Sequence, residues 1–274
     1  MNKQQTKAYL ERIGFTGEIH HTPECLEELI LAHISTVPFE NLEVSQDHRI
    51  PSLEEADIYE KIVVKKRGGW CFEVNKLFYE LLKSCGFSVI PVAVRITWMK
   101  ESLPPYLHRA TVATLDGITY LCDVGYGGPG PKGVMKLEEG EYHIRDAVFR
   151  IQIPESDVPD EVIVEKFHEG AFFEMMRFQN QRAQEPDFKL MNFFCAKSDE
   201  CFFKNLDAAN LWLRDGSRAL LEDTLTLKKN GETIIKECTS PEEKRQWLKA
   251  YFGIEKQEER VMKSERMTPG CEKR

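Results

Sequence analysis

Apolar residues in the first 85 positions recur at helical spacing, and each run carries its own start signal. Thr22 followed by Pro23 predicts an N-cap with proline at the first helical position, after which Leu26, Leu29, Ile30 and His33 fall on one face. Ser52-Leu-Glu-Glu55 reads as a capping box, with Ile58 and Ile62 behind it. A third helix is predicted to begin near Cys71, because Val74, Phe78, Leu81, Leu82 and Cys85 lie at helical spacing and Gly86 supplies a stop. From Phe87 the period becomes that of strands. FSVIPVAVRI, LHRATVATL, ITYLCDV, VFRIQI and EVIVEKF are short β-branched runs broken by turns. Asp116-Gly117 between two of them is a hairpin signal, and such a succession predicts a barrel or sandwich. From about residue 186 the pattern is mixed, with strand-like LWLRDGSRALL and TLTLKK-NG-ETIIKE. Ser240-Pro-Glu-Glu243 then caps a last helix with Trp247, Leu248, Tyr251 and Phe252 on its buried side, and the charged residues 254 to 274 are expected to fray. The class is α+β, divided at 1–86 (helical bundle), 87–185 (strands) and 186–274 (mixed).

Composition narrows the function. With 42% hydrophobic and 30% charged residues the chain reads as a soluble globular protein. No run approaches the ~18 apolar residues of a membrane span and the N-terminus lacks an apolar secretion core, so no membrane partner and a cytoplasmic location are expected. Net charge is −8, and no basic cluster exceeds Lys65-Lys66-Arg67, which argues against nucleic acid; an anionic ligand would need local help. The eight cysteines stand singly with no C-x-x-C pair, so free thiols are expected and neither a zinc ribbon nor a redox dithiol is suggested. His20-His21 is the one close histidine pair and lacks companion ligands, so no metal is expected. Met175, Met176 and Phe172-Phe173 read as core.

Cys71 is the thiol whose setting differs. Gly68 and Gly69 allow the sharp turn that would launch the next helix, placing Cys71 in a first turn. There unpaired backbone N–H groups and the helix dipole favour negative charge, a setting in which thiol pKa values fall from ~8.5 toward ~3.5–7.5. The alternative reading of the same position is a small buried hydrophobe. A nucleophilic thiol needs a base, and the hairpin offers one. If Asp116-Gly117 is a two-residue loop, Leu115 pairs with Ile118, and counting outward places His108 opposite Gly125 and Ala110 opposite Asp123, all on one face. Asp123 is then the diagonal neighbour of His108, at a Cβ separation of ~7–8 Å. A carboxylate so placed would fix the tautomer of the ring and stabilise its cation. His33 and His168 have no such partner in the pattern, and Cys122 points to the face opposite His108.

These residues match a known family. RGGWCFEVN resembles the R-G-G-x-C-x-E-x-N signature of the arylamine N-acetyltransferases, and VPFENLEV, LHRATVAT and YLCDVGYGG follow in the family's order. QEPDFKLMNFF resembles the start of its third domain, so the likeness runs from Tyr9 to about Phe252. It implies an N-terminal helical bundle, a central β-barrel and a C-terminal α/β lid on a papain- or transglutaminase-like core. It also implies a Cys-His-Asp triad at Cys71, His108 and Asp123. The implied reaction is acetyl transfer from acetyl-CoA to an arylamine or arylhydrazine, with O-acetylation of N-hydroxyarylamines as a relative, in two steps through an acetyl-cysteine.

The same resemblance implies CoA contact by Gly127 and Gly128, the acceptor beside Phe39 and Tyr126, and an oxyanion donor in the Phe72 backbone N–H, joined by that of Cys71. Glu40 and Arg67 are implied as a structural ion pair positioning the loop that holds Cys71. From the residues alone, the glycines also suit an ordinary strand-ending turn, and both aromatics suit packing. GPGPKGVM, 128 to 135, and the lid around 195 to 210 depart from the familiar pattern, which bears on the choice of acceptor. Two other readings share the scaffold. One is an amide synthase or hydrolase using the same trio on a different acyl donor; the other is a non-catalytic binding protein.

Overall fold

The structure is a computed structural model, and it describes residues 1–255; the tail expected to fray beyond Glu255, with Cys271, lies outside the described residues. Helices come first: α1 (Lys3–Arg12), α2 (Pro23–Ile34), the short α3 (Leu42–Ser45), α4 (Glu55–Tyr59), which runs on as a π-helical turn over Glu60–Val64, and α5 (Cys71–Ser84). Strand β1 (Phe39–Glu40) lies among them. The middle of the chain is strand: β2 (Ser88–Ile96), β3 (His108–Leu115), β4 (Ile118–Cys122), β5 (Met135–Lys136), β6 (Gly140–Ile144), β7 (Ala147–Gln152), β8 (Glu161–His168) and β9 (Ala171–Gln179). Helix α6 (Glu185–Lys197) leads into β10 (Ala208–Leu213), β11 (Gly216–Leu221), β12 (Thr224–Lys229), β13 (Glu232–Glu237) and α7 (Pro241–Phe252).

Side-chain caps hold the starts of α1, α2 and α7. Thr22 accepts the Cys25 N–H ahead of Pro23, and Ser240 accepts the Glu243 N–H ahead of Pro241, as their sequences predict. The box expected at Ser52 does not form. Helix α4 begins at Glu55 behind an N-cap at Glu54, and the Ser52 hydroxyl instead donates to Asp57 and accepts the Glu54 N–H. Two donors and acceptors satisfied within a turn compete with the helical cap.

β2 to β9 form one antiparallel sheet in the order β5-β4-β3-β2-β9-β8-β7-β6. Among the described residues no ladder joins β5 to β6, so the barrel is incomplete. Alternation along β3 and β4 sorts two cores: Ala113, Leu115, Tyr120 and Cys122 pack on the helices, whereas Ala110, Val112 and Leu121 pack inside the curved sheet with Val94, Met175 and Met176. Phe172 and Phe173 depart from the expected core: a register shift in the β8–β9 ladder separates them from the buried methionines, and Phe173 is 39% exposed. The last sheet is β1-β10-β11-β12-β13, so a two-residue strand from the helical region forms its edge, with Phe39 opposite Asn210.

Candidate active site

Close approach of two loops dictates the turn before α5. Phe39 and Gly69 bridge in parallel, the Glu40 N–H donates to the Gly69 carbonyl at 3.0 Å, and a Cβ on Gly68 would stand 2.2 Å from the Pro38 carbonyl oxygen. Only glycine fits there. Trp70 is the N-cap of α5, and the Glu73 carboxylate accepts its backbone N–H at 3.1 Å, which sets Cys71 as the first helical residue. The first donors of the helix's own ladder are Glu73 and Val74, both to the Trp70 carbonyl, so the N–H groups of Cys71 and Phe72 precede that ladder.

A buried charge network lies under this turn. Arg67 donates to Glu40 at 2.7 and 3.1 Å, and the Leu42 N–H adds a bond at 3.0 Å. Burial pushes the Glu40 carboxyl up, but Lys61, Arg67 and the Leu42 N–H outweigh it and hold it below its usual range. The expected ion pair is therefore present, within a larger set: Lys61 Nζ reaches Glu43 at 3.0 Å and both Glu73 oxygens at 2.8 and 3.0 Å. Burial would release the Lys61 proton, yet Glu73, Glu40 and Glu43 hold it well above the ordinary lysine range. Burial, aided by Glu43 and Glu40 against Lys61, pushes Glu73 up to about 7.

The β3–β4 hairpin delivers the other two residues. Its register runs from Leu115 opposite Ile118 to Thr111 opposite Cys122, the expected frame, and Asp116 and Gly117 both take positive φ, as a two-residue turn of this kind requires. His108 begins β3 and Asp123 follows β4, and Nε2 lies 2.6 Å from Oδ2 of Asp123. Cys71 acts on the same ring and, after Asp123, helps to hold its proton. Burial would lower the affinity of His108 for its proton, but Asp123 and Cys71 outweigh it and hold the pKa up at about 10. Burial likewise raises Asp123, and His108, Asn75 and the Gly125 N–H together bring it below its ordinary value. The result is a buried imidazolium between a carboxylate and a half-buried sulfur.

Asn75, to which the sequence reading gave no role, joins helix to hairpin. Its Nδ2 donates to Asp123 Oδ1 at 2.9 Å and to the Arg109 carbonyl, and its Oδ1 accepts the Val124 N–H at 2.9 Å. The available signal was its position four residues after Cys71 on one helix face. Gly125 lets these elements touch, since a Cβ there would lie 2.9 Å from Cys71 Cα and 2.8 Å from a Val74 methyl. Gly125→Ala is therefore expected to cost about 1–3 kcal/mol through overpacking, read as a lower urea midpoint at constant slope. An unchanged midpoint would show that the strand end can back away.

A narrow cleft of ≈ 20 Å³ opens beside Asp123, lined by Phe39, Tyr126 and Gly127 and, from the last sheet, Asn210 and Trp212. Tyr126 meets the His108 ring edge-on at 5.8 Å and donates to the Met175 carbonyl at 3.2 Å, while the Phe39 ring lies against Gly127. Gly128 has open space where a Cβ would stand.

Other candidate residues lie elsewhere. His33 is buried against the Tyr9 hydroxyl at 2.7 Å and is pushed down to about 3 by burial and Arg12, and exposed His168 lies 3.8 Å from Glu169, a carboxylate the pattern did not reveal. Cys122 is packed on the helices, where burial pushes its thiol up. Cys195 and Cys201 share an apolar cluster with Cys71; each acts on the other's proton, which lowers Cys201 and raises Cys195, and the Cys195 thiol reaches the Leu107 carbonyl at 3.8 Å. Among the described residues no group of three or more His, Cys, Asp or Glu could hold a metal ion.

Comparison with known proteins identifies the family. The family model described as N-acetyltransferase matches residues 22–261. The arylamine N-acetyltransferase of Mycobacterium tuberculosis is 36% identical over 138 residues, which is 48% of this chain and 49% of that protein; the match spans about half the length of that relative. The arylamine N-acetyltransferase of Escherichia coli is 28% identical over 236 residues, covering 82% of this chain and 80% of its own. The solved arylamine N-acetyltransferase of Salmonella typhimurium superimposes with a TM-score of 0.87 at 25% identity, covering 95% of each chain. The chain belongs to the arylamine N-acetyltransferase family.

Proposed function

We propose that the protein transfers an acetyl group from acetyl-CoA to an arylamine or arylhydrazine, with N-hydroxyarylamines as O-acetyl acceptors, through an acetyl-Cys71 intermediate. The observation that carries this reading is the 2.6 Å contact between His108 and Asp123, on a ring whose proton Cys71 also helps to hold. The sulfur attacks the thioester carbonyl, and CoA leaves as a thiolate that His108 can protonate. The N–H groups of Cys71 and Phe72, at the head of α5, face the charge that develops on the carbonyl oxygen. In the second step the amine attacks acetyl-Cys71, His108 takes the amine proton, and Asp123 holds the ring throughout. Gly127 and Gly128 contact CoA, and Phe39 and Tyr126 face the acceptor ring in the cleft.

The reading extends to architecture. Residues 1–86, 87–185 and 186 onward act as bundle, barrel and lid on a papain-like core, with β1 tying the lid sheet to the loop that holds Cys71. Free thiols at all seven described cysteines suit a reducing, cytoplasmic compartment. The test is intact mass after mixing with acetyl-CoA alone. One acetyl group is expected, mapped to Cys71, and released when an arylamine is added. A label on Cys122 or Cys195 with Cys71 unmodified would sink the mechanism, and acylation only by an amide, ester or carrier-bound chain would favour the hydrolase or synthase reading instead.

A further inference from the structure

Although the chain carries a net charge of −8, one rim of the cleft is basic. Lys132 Nζ lies 3.6 Å from the centroid of Trp212, which lines the cleft. Lys166, from β8, donates to the Pro129 carbonyl at 2.9 Å, just after the glycine turn. Lys228 reaches the same region through sheet register. Trp212 stands opposite Ser217 and Ser217 opposite Lys228, and directly opposed residues share a face, so Lys228 emerges on the face of Trp212 two strands away.

Two of these ammonium groups act on the third. Burial, followed by the charges of Lys132 and Lys228, lowers the proton affinity of Lys166, with Asp146 opposing. Among the described residues the one carboxylate paired with any of the three is Asp146, at 2.7 and 3.0 Å from Lys132, and its side chain is 73% exposed. Like charges gathered in this way oppose folding rather than assist it. An anion placed among them reverses the sign of the interaction, and phosphate accepts from several lysines at once.

We propose that Lys132, Lys166 and Lys228 hold the phosphates of acetyl-CoA at the rim while its thioester end lies in the cleft toward Cys71. This rests on the acetyl-CoA reading above and adds to it the residues that select a phosphorylated donor. The shared chemistry is that of phosphate, whether the pyrophosphate or the 3′-phosphate, and the ligands of the test separate the two.

CoA, dephospho-CoA and pantetheine are titrated calorimetrically into the wild type and into Lys132→Met, Lys166→Met and Lys228→Met. Each variant is expected to bind CoA about tenfold more weakly, the size of one charge-assisted hydrogen bond, and pantetheine as the wild type does. A loss that persists with dephospho-CoA assigns the pyrophosphate; a loss confined to CoA assigns the 3′-phosphate. Because Lys228 is exposed, its variant keeps the test valid if either other variant fails to fold. In the wild type, added salt should weaken CoA and leave pantetheine unchanged. CoA affinity within twofold of wild type in every folded variant, or pantetheine weakened as much as CoA, would overturn the proposal and leave acetyl transfer standing. A wild type that binds no CoA would overturn both.

Discussion

Asp123→Asn is expected to lower the rate of acetyl transfer by about 10⁴-fold, the scale seen when a carboxylate that orients a catalytic imidazole becomes an amide, while leaving a folded chain. The hydrogen bonds around Asp123 dictate how the amide must sit. Asp123 Oδ1 accepts from Asn75 Nδ2 at 2.9 Å and from the Gly125 N–H at 2.8 Å, whereas Oδ2 faces His108 Nε2 at 2.6 Å. Two donors therefore claim the carbonyl oxygen of the new asparagine, and its NH₂ group is turned toward His108. Nε2 can then only accept, which moves the neutral ring's proton to Nδ1 and removes the partner that held the cation. Burial remains and only Cys71 still opposes it, so the His108 pKa should fall from about 10.

The ring titration, followed by NMR, reads this directly. Linkage gives a second reading: the folded pKa of His108 lies above the unfolded one, so its contribution to stability is full below pH 6.5 and is lost as pH rises through about 10. The wild type should lose that contribution across this window, and Asp123→Asn should not. Near-normal acetylation of Cys71 in the variant would show that another group orients His108.

Parts of the site that depend on local geometry were legible in the sequence. Asp116-Gly117 permits one tight turn, and once that turn is granted, period-two counting brings His108 and Asp123 to one face. The start of α5 follows from Gly68 and Gly69 in the same way. What could not be read depends on how elements dock. Arg109 is fully buried and bonds Glu185 at 2.7 and 3.1 Å, 76 positions away, and nothing in the alternation of β3 distinguishes that inward arginine from an exposed one. Asn75 was quoted within the motif, yet its three bonds exist only because α5 packs across the hairpin. Asn210 and Trp212 meet the cleft through the docking of a sheet whose edge, β1, comes from the other end of the chain. Phe172 and Phe173 misled because hydrophobicity alone does not reveal a bulge.

Lys61→Met is expected to destabilise the protein by about 3–5 kcal/mol at pH 8, the usual cost of leaving a buried charge without its partner, and by less at pH 5.5. The cluster holds three carboxylates, Glu40, Glu43 and Glu73, against two cations, Lys61 and Arg67, and Glu73 is 2% exposed. Glu73 already sits up at about 7, above the 4.5 of a free carboxyl, so the folded state binds its proton more tightly than the unfolded state does. A carboxyl raised in this way contributes stability at low pH and loses it as pH climbs from 4.5 through about 7. Removing Lys61 steepens that loss, because Glu73 must then ionise without its cation. Urea unfolding at the two pH values reads the difference, and an equal loss at both would mean that Lys61 contributes packing rather than charge. Adding Glu73→Gln should restore most of the stability at pH 8, since the amide oxygen can still accept the Trp70 N–H while the uncompensated charge is gone. Because that bond sets the first turn of α5, the double variant should also keep Cys71 able to take up acetyl, whereas Lys61→Met alone should lose acylation together with stability as pH rises.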